Sequence, residues 1–266
     1  MGTRLLLSFL AMVLVVPVAH AESVDPSLAK TLADPARSAN FVGRDVARHP
    51  GEELAFFGLL PTLTVIEISP GGGYWTEILA PYLHTQGKFY AAFDADKEGD
   101  ADLANFKKKL AAAPGRFDKV VATRLGPKQT EIAPAGSADL VLTFRNLHNW
   151  MYEGYADAAM AAFYKALKPG GILGIEEHRA RADKPQDPKA DNGYVREDYT
   201  IALAEKAGFK LVGKSEINAN PKDTTDWPKG VWTLPPTLAM GEVDRAKYVA
   251  IGEADNFVLK FQKPVK

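Results

Sequence analysis

The chain has 266 residues, of which 46% are hydrophobic, and 32 basic residues nearly balance 33 acidic ones. That balance argues against a nucleic-acid partner, which selects for a basic excess or stripe. The absence of cysteine excludes disulfides, thiolate metal ligands, a thiol nucleophile and a lipid-bearing cysteine.

The first predicted element is a leader. Arg4 precedes an apolar run from Leu5 to Val18, and Ala19-His20-Ala21 has the small-x-small form of a signal-peptidase site. The run is shorter than the roughly 20 residues that span a bilayer, and Pro17 interrupts it. Residues 1–21 are therefore expected to be a signal peptide. The mature chain is expected to begin at Glu22, to be periplasmic or secreted, and to have no stable membrane insertion. It keeps 31 basic and 33 acidic residues, and its length suits one domain that buries roughly 70–75% of its unfolded surface.

Residues 22–60 read as an N-terminal segment of short helices. In "FVGRDVARHPGEELAFFGLL", Pro50 is a stop and Phe56-Phe57 a burial signal. "LTVIEI" is a strand buried on both faces, and a helix over 74–86 ends at Gly87. "KFYAAFD" is a second strand, and "ADLANFKKKLAAA" a helix with Leu103, Phe106 and Leu110 on one face. "DKVVATR" and "ADLVLTF" follow as strands. A helix over 153–167 is closed by Lys168-Pro169-Gly170-Gly171, "ILGIEE" is a fifth strand, and a helix spans 196–207. "FKLVGKSEI" and "NFVLKFQK" close the chain as strands, joined by a long connection over 218–255 without a strong helix. This order predicts an α/β fold: a Rossmann-like, seven-stranded, mostly parallel sheet with helices on both faces and an antiparallel C-terminal strand.

In such a sheet, ligands sit at the carboxyl ends of the strands, where "VIEISPGGG" places a glycine loop. The dinucleotide pattern G-x-G-x-x-G fails at two of three positions. An acidic-x-G-x-G-x-G pattern fits Glu67-x-Ser69-x-Gly71-x-Gly73 except at Ser69. Because Pro70 follows, Ser69 is expected to be extended, with negative φ.

These motifs, with Asp94 closing the second strand and "LKPGGILGIEE" as the fifth, resemble the class I S-adenosylmethionine-dependent methyltransferases. "RDVARHPGEELAFFG", "SPGGGYWTEILAPYL", "LVLTFRNLHNW" and "NGYVREDY" resemble an exported branch known mainly as predicted methyltransferases. The resemblance covers nearly the whole mature chain and implies a methyltransferase-like domain over 61–266. It also implies S-adenosylmethionine as cofactor, with the stretch containing Glu67, Ser69, Gly71, Gly72 and Gly73 against its methionyl and ribosyl parts and Asp94 on the ribose hydroxyls. An acceptor-only carboxylate suits a vicinal diol, and glycine permits close backbone approach.

The richest chemistry follows strand four in "FRNLHNWMY". Arg145 can anchor an anionic substrate or pair with a nearby acid. Asn146 can bind cofactor or acceptor, and His148 can act as general base or pack beneath a loop. Glu176, Glu177 and His178 close strand five on the same edge, and at least one is expected to be an ion partner there. His49 and His84 read as helix-dipole partners. Tyr194 and Arg196 either line an acceptor pocket or begin a helix, and Trp227 and Trp232 form a lid or a plug. The histidines show no metal-ligand spacing, so no metal is expected. The resulting reading is a methyltransferase acting on a small molecule. The alternatives are an exported binding protein that has lost transfer and, disfavoured by the glycine pattern, a nicotinamide-dependent oxidoreductase.

Overall fold

A computed structural model describes residues 24–265. The expected leader, its cleavage site and the expected mature terminus at Glu22 lie outside these residues. Four short helices come first: α1 (Pro26–Leu32), α2 (Ala39–Val42), α3 (Asp45–Arg48) and α4 (Pro50–Phe57). Asp25 caps α1 by accepting the Ser27 and Leu28 N–H groups, which have no partner inside the helix. Pro50 does more than stop a helix. It ends α3 and occupies the first turn of α4, where its missing N–H costs nothing.

There follow β1 (Thr64–Ile68), α5 (Thr76–Leu83), β2 (Lys88–Asp94), α6 (Lys97–Ala112), α7 (Pro114–Phe117), β3 (Val121–Leu125) and β4 (Ala138–Phe144). Next come α8 (Leu147–Tyr152), α9 (Ala156–Ala166), β5 (Leu167–His178), α10 (Glu197–Lys206), β6 (Lys210–Ser215), β7 (Pro228–Val231), α11 (Arg245–Ile251) and β8 (Asn256–Gln262). The helix expected over 153–167 is interrupted by the left-handed Gly154, and α8 precedes it. Lys168–Gly171 belongs to β5, entered through an irregular pairing between Ala138 and Leu140.

Seven strands form one sheet in the order β3-β2-β1-β4-β5-β8-β6. Neighbours from β3 to β5 pair in parallel, whereas β8 runs antiparallel to both β5 and β6. Side chains alternate between two cores, as the strand period of two requires. On β1, Val65 packs with α4 and α5, and Ile66 and Ile68 pack with α8 and α9. Phe57 is 1% exposed, and full burial of such a side chain contributes about 1.5–3 kcal/mol. The long C-terminal connection holds α11 and β7 and builds a third cluster from Tyr194, Val231, Leu234 and Tyr248. Among the described residues no helix is long and apolar enough to cross a membrane.

Candidate active site

The reversal of strand order between β1 and β4 opens a crevice at their carboxyl ends, where α/β sheets bind ligands. The glycine loop lies at its mouth, and Ser69 has φ 50° rather than the extended backbone expected before proline. Left-handed backbone costs an L residue roughly 1–2 kcal/mol. Tertiary bonds override the local preference: Ser69 N–H donates to Ala92 O at 2.8 Å, and its Oγ donates to Asp94 Oδ1 at 2.5 Å. Gly71 and Gly73 also have positive φ. A Cβ built on Gly71 would meet nothing within 4 Å, so open space lies beside the loop.

Glu67 is 1% exposed and accepts from Thr76 Oγ1 at 2.6 Å, which ties β1 to the first turn of α5. Burial pushes its carboxyl up to about 8, against the opposing Thr76 hydrogen bond. Asp94 is raised to about 6, again mainly by burial, with Ser69 opposing. Gly99 lets α6 press on this strand end, because a Cβ there would lie 1.9 Å from Asp94 O. Asn146 donates to Ile68 O and to Thr143 Oγ1, both at 3.1 Å, and so bridges β1 and β4. Glu67, Ser69, Gly71, Gly72, Arg145 and Asn146 all line one cavity of about 240 Å³. Asp94 adjoins it through Ser69 and is not itself part of that wall.

A second cavity, of about 380 Å³, shares the wall made by Arg44, Arg48, Phe144 and Arg145 and is lined further by His148, His178 and Trp232. His148 Nδ1 lies 3.0 Å from Glu177 Oε1, and its backbone N–H donates to Oε2 of the same carboxylate at 3.2 Å. The His178 backbone N–H donates to Glu177 Oε1 at 2.8 Å. Burial pushes the Glu177 carboxyl up, but the neighbouring imidazoles and these donors outweigh it and hold the group below the usual carboxylate range. Glu177 therefore accepts from His148 Nδ1–H, and Nε2 is the ring nitrogen left to face other groups. His178 is set by a parallel device. Asn256 spends its Nδ2 on Glu176 Oε1 at 3.1 Å and turns Oδ1 to His178 Nδ1 at 2.7 Å. Burial lowers His178 to about 3, so its ring is neutral at pH 7.

One atom each of His148, Glu177 and His178 that is able to ligate a metal ion lies within 4.8 Å of the other two. Sequence spacing does not show this convergence, because the residues come from two elements. Glu177 is filled by three N–H donors, an arrangement that orients the His148 imidazole. Arg145, with φ 62°, donates from Nη1 to Glu176 Oε2 at 2.8 Å, the acid pairing that was one of its two expected roles. Behind it, Asn218 donates to Glu53 Oε2 at 2.7 Å and to Glu176 Oε1 at 2.9 Å. Burial raises both carboxyls, and Glu53 goes well above its ordinary range because it is fully buried, with the neighbouring Glu176 adding to the rise.

His49 and His84 sit at helix C-termini, as expected, and the other candidates lie outside this cluster. His49 contacts Asn218 Oδ1 at 3.0 Å, and His84 contacts Asp118 Oδ1 at 2.7 Å. Tyr194 OH donates to Asp223, and its ring belongs to the third cluster and meets His178 edge-on at 6.2 Å, lining neither cavity itself. Arg196 precedes α10 and pairs with Asp198. Trp227 also joins the third cluster, donating to Asp223 Oδ1 at 2.6 Å, so the two tryptophans divide between plug and cavity wall. Sequence reasoning missed Arg44, Arg48, Glu53, Asn218 and Glu253. The arginine pair at i and i+4 in "RDVAR" is the signal that was available.

No protein-family model matches the chain, and a search of curated proteins found no match. Solved structures do resemble it. A SAM-dependent methyltransferase from Aquifex aeolicus superposes with a TM-score of 0.56 at 18% identity, covering 90% of this chain and 98% of the other. The [4+2]-cyclase SpnF gives 0.55 at 16% identity, covering 94% and 99%. Phosphoethanolamine N-methyltransferase 2 from Haemonchus contortus, in complex with S-adenosyl-L-methionine, gives 0.54 at 15% identity, covering 82% and 52%. At these identities the likeness establishes the fold: the chain has the Rossmann-like methyltransferase fold.

Proposed function

We propose that the protein is an S-adenosylmethionine-dependent methyltransferase acting on a small molecule outside the cytosol. The observation that carries this reading is the pair of adjoining cavities at the strand-order reversal, one walled by the open glycine loop and the other by an imidazole held by a buried carboxylate. The residues fit the cofactor: Gly71 leaves open space, and Asp94 Oδ2 takes no hydrogen bond among the described residues and can serve a hydroxyl donor while Ser69 occupies Oδ1. Glu67, Ser69, Gly71, Gly72, Gly73, Asp94 and Asn146 would hold it. When bound, the cofactor supplies an electrophilic methyl group on a sulfonium. The protein's share is positioning and, for an acceptor with a proton to lose, a base. His148 takes that proton at Nε2, and Glu177 stabilises the imidazolium that results.

Calorimetry with S-adenosylmethionine, S-adenosylhomocysteine and NAD tests this reading. Binding of the first two in preference to NAD supports it, and preference for NAD would overturn it. A second reading, a binding protein that has lost transfer, draws on the Ser69 hydroxyl occupying the diol-binding carboxylate and on a fold shared with a cyclase. Turnover assays separate the two. Export rests on the apolar run from Leu5 to Val18 and on Ala19-His20-Ala21. Amino-terminal sequencing of exported protein should begin at Glu22, whereas an intact leader in a membrane fraction would refute cleavage.

A further inference from the structure

Arg48 is an unusual group on the wall between the two cavities. Its side chain is 7% exposed, and its guanidinium lies 4.5 Å from the centre of the Tyr74 ring. Its Nε donates to Glu253 Oε2 at 3.2 Å. Its two terminal nitrogens have no protein acceptor among the described residues, yet neither is an enclosed unpaired atom, so both open on cavity space. Arg44 takes the same Glu253 through two bonds of 2.7 and 3.0 Å, which leaves one carboxylate serving two guanidiniums. Arg145 commits Nη1 to Glu176, and its Nε and Nη2 have no protein acceptor among the described residues.

Burial, with Arg145 and Arg44 close by, makes Arg48 easier to deprotonate and brings it down to about 10. A buried guanidinium with unfilled donors is costly, and an oxyanion fills such a fork with two parallel charge-assisted bonds. Of the acids on the larger cavity, Glu253 reaches only Nε of Arg48 and is shared with Arg44, and Glu98 is exposed.

We infer that the methyl acceptor carries an oxyanion, a carboxylate or a phosphate, clamped by Arg48 together with Arg145 in the 380 Å³ cavity that also holds His148. The inference rests on the methyltransferase reading and assigns its substrate class. The clamp sits on the cavity's shared wall and His148 on another part of it, so an anchored acceptor has an imidazole within the same enclosure. The competing source of the oxyanion is the cofactor's own carboxylate, because Arg48 also lines the smaller cavity.

The test uses the full mature protein saturated with S-adenosylhomocysteine and titrates inorganic phosphate and acetate, read by tryptophan emission because Trp232 lines the cavity. Both anions, or the better-matched one, should still bind. Arg48→Gln should weaken that binding by about tenfold or more, with Arg48→Lys intermediate because it keeps the charge and loses the fork. S-adenosylhomocysteine affinity should change by less than about threefold in the same variants, which also shows that they are folded. Displacement of the anions by S-adenosylhomocysteine would overturn the inference and assign the clamp to the cofactor. Anion binding indifferent to Arg48, or absent from the saturated wild type, would overturn it too. Failure of S-adenosylhomocysteine to bind the wild type sinks the methyltransferase reading, and with it the assignment of the clamp to an acceptor. An Arg48-dependent anion titration in that case still identifies the clamp as an oxyanion site.

Discussion

The two halves of the site, which we assign to cofactor and to acceptor, are built on opposite principles. The cofactor half is nearly one continuous stretch, Glu67 to Thr76, in which backbone conformation does most of the shaping and the inner hydrogen bonds are few. The acceptor half is assembled from side chains that are remote in sequence: Arg44 meets Glu253 across 209 positions, and Asn218 meets Glu53 across 165. Backbone recognition is compact and tolerates little change in residue type. Side-chain recognition gathers charge from several elements, and its groups set one another's ionisation.

The largest expected effect lies in the acceptor half. His148→Ala should lower turnover on an acceptor found by screening small anionic molecules with labelled cofactor, by about 10²–10⁴-fold, with cofactor affinity nearly unchanged. A fully active variant with only a lowered melting temperature would show that His148 merely packs. In the cofactor half, Asp94→Ala removes a hydrogen-bond acceptor and should weaken S-adenosylhomocysteine binding by roughly 0.5–3 kcal/mol, measured by calorimetry. Gly71→Val, which places a branched side chain into the open space beside the loop, should also weaken it. Unchanged affinity in both folded variants would remove the loop from the site.

A smaller effect concerns pH. Glu67 rises from its ordinary value near 4.5 to about 8 on folding, so the native state binds its proton more tightly than the unfolded chain. Its contribution to stability is full below about pH 4.5 and is lost as pH rises towards 8. Glu67→Gln keeps a partner for Thr76 without that titration. Melting curves from pH 5 to 8.5 should therefore fall less steeply for the variant, and parallel curves would contradict the burial argument.

The smallest expected effect is that of Ser69→Gly. Glycine relieves the left-handed strain but frees Asp94 from its hydroxyl partner and adds unfolded-state entropy, so stability should stay within about 1 kcal/mol of wild type. If Ser69 restrains Asp94 from a ribose diol, this variant should bind S-adenosylhomocysteine more tightly. Weaker binding would show that the hydroxyl helps to build the site.

By itself the sequence determined the α/β alternation, the seven sheet strands and the place of the glycine loop. These follow from local periodicity and from short apolar runs such as "LTVIEI", which can satisfy their backbone and bury both faces only in a covered sheet. It also offered Arg145, Asn146 and His148 as candidates, because residues that follow a strand end lie near the crevice where the sheet reverses order, and Asp94 through the family resemblance. It did not determine the backbone at Ser69, where bonds to Ala92 and Asp94 override the preference that Pro70 imposes. Only the tertiary structure decided that Glu177 orients His148, that Asn256 sets the His178 ring, and that Arg48 keeps two donors without an acceptor among the described residues at the cavity wall. The physical reason is range: propensity and period act over a few residues, whereas burial and charge pairing join groups that only the closed sheet brings together.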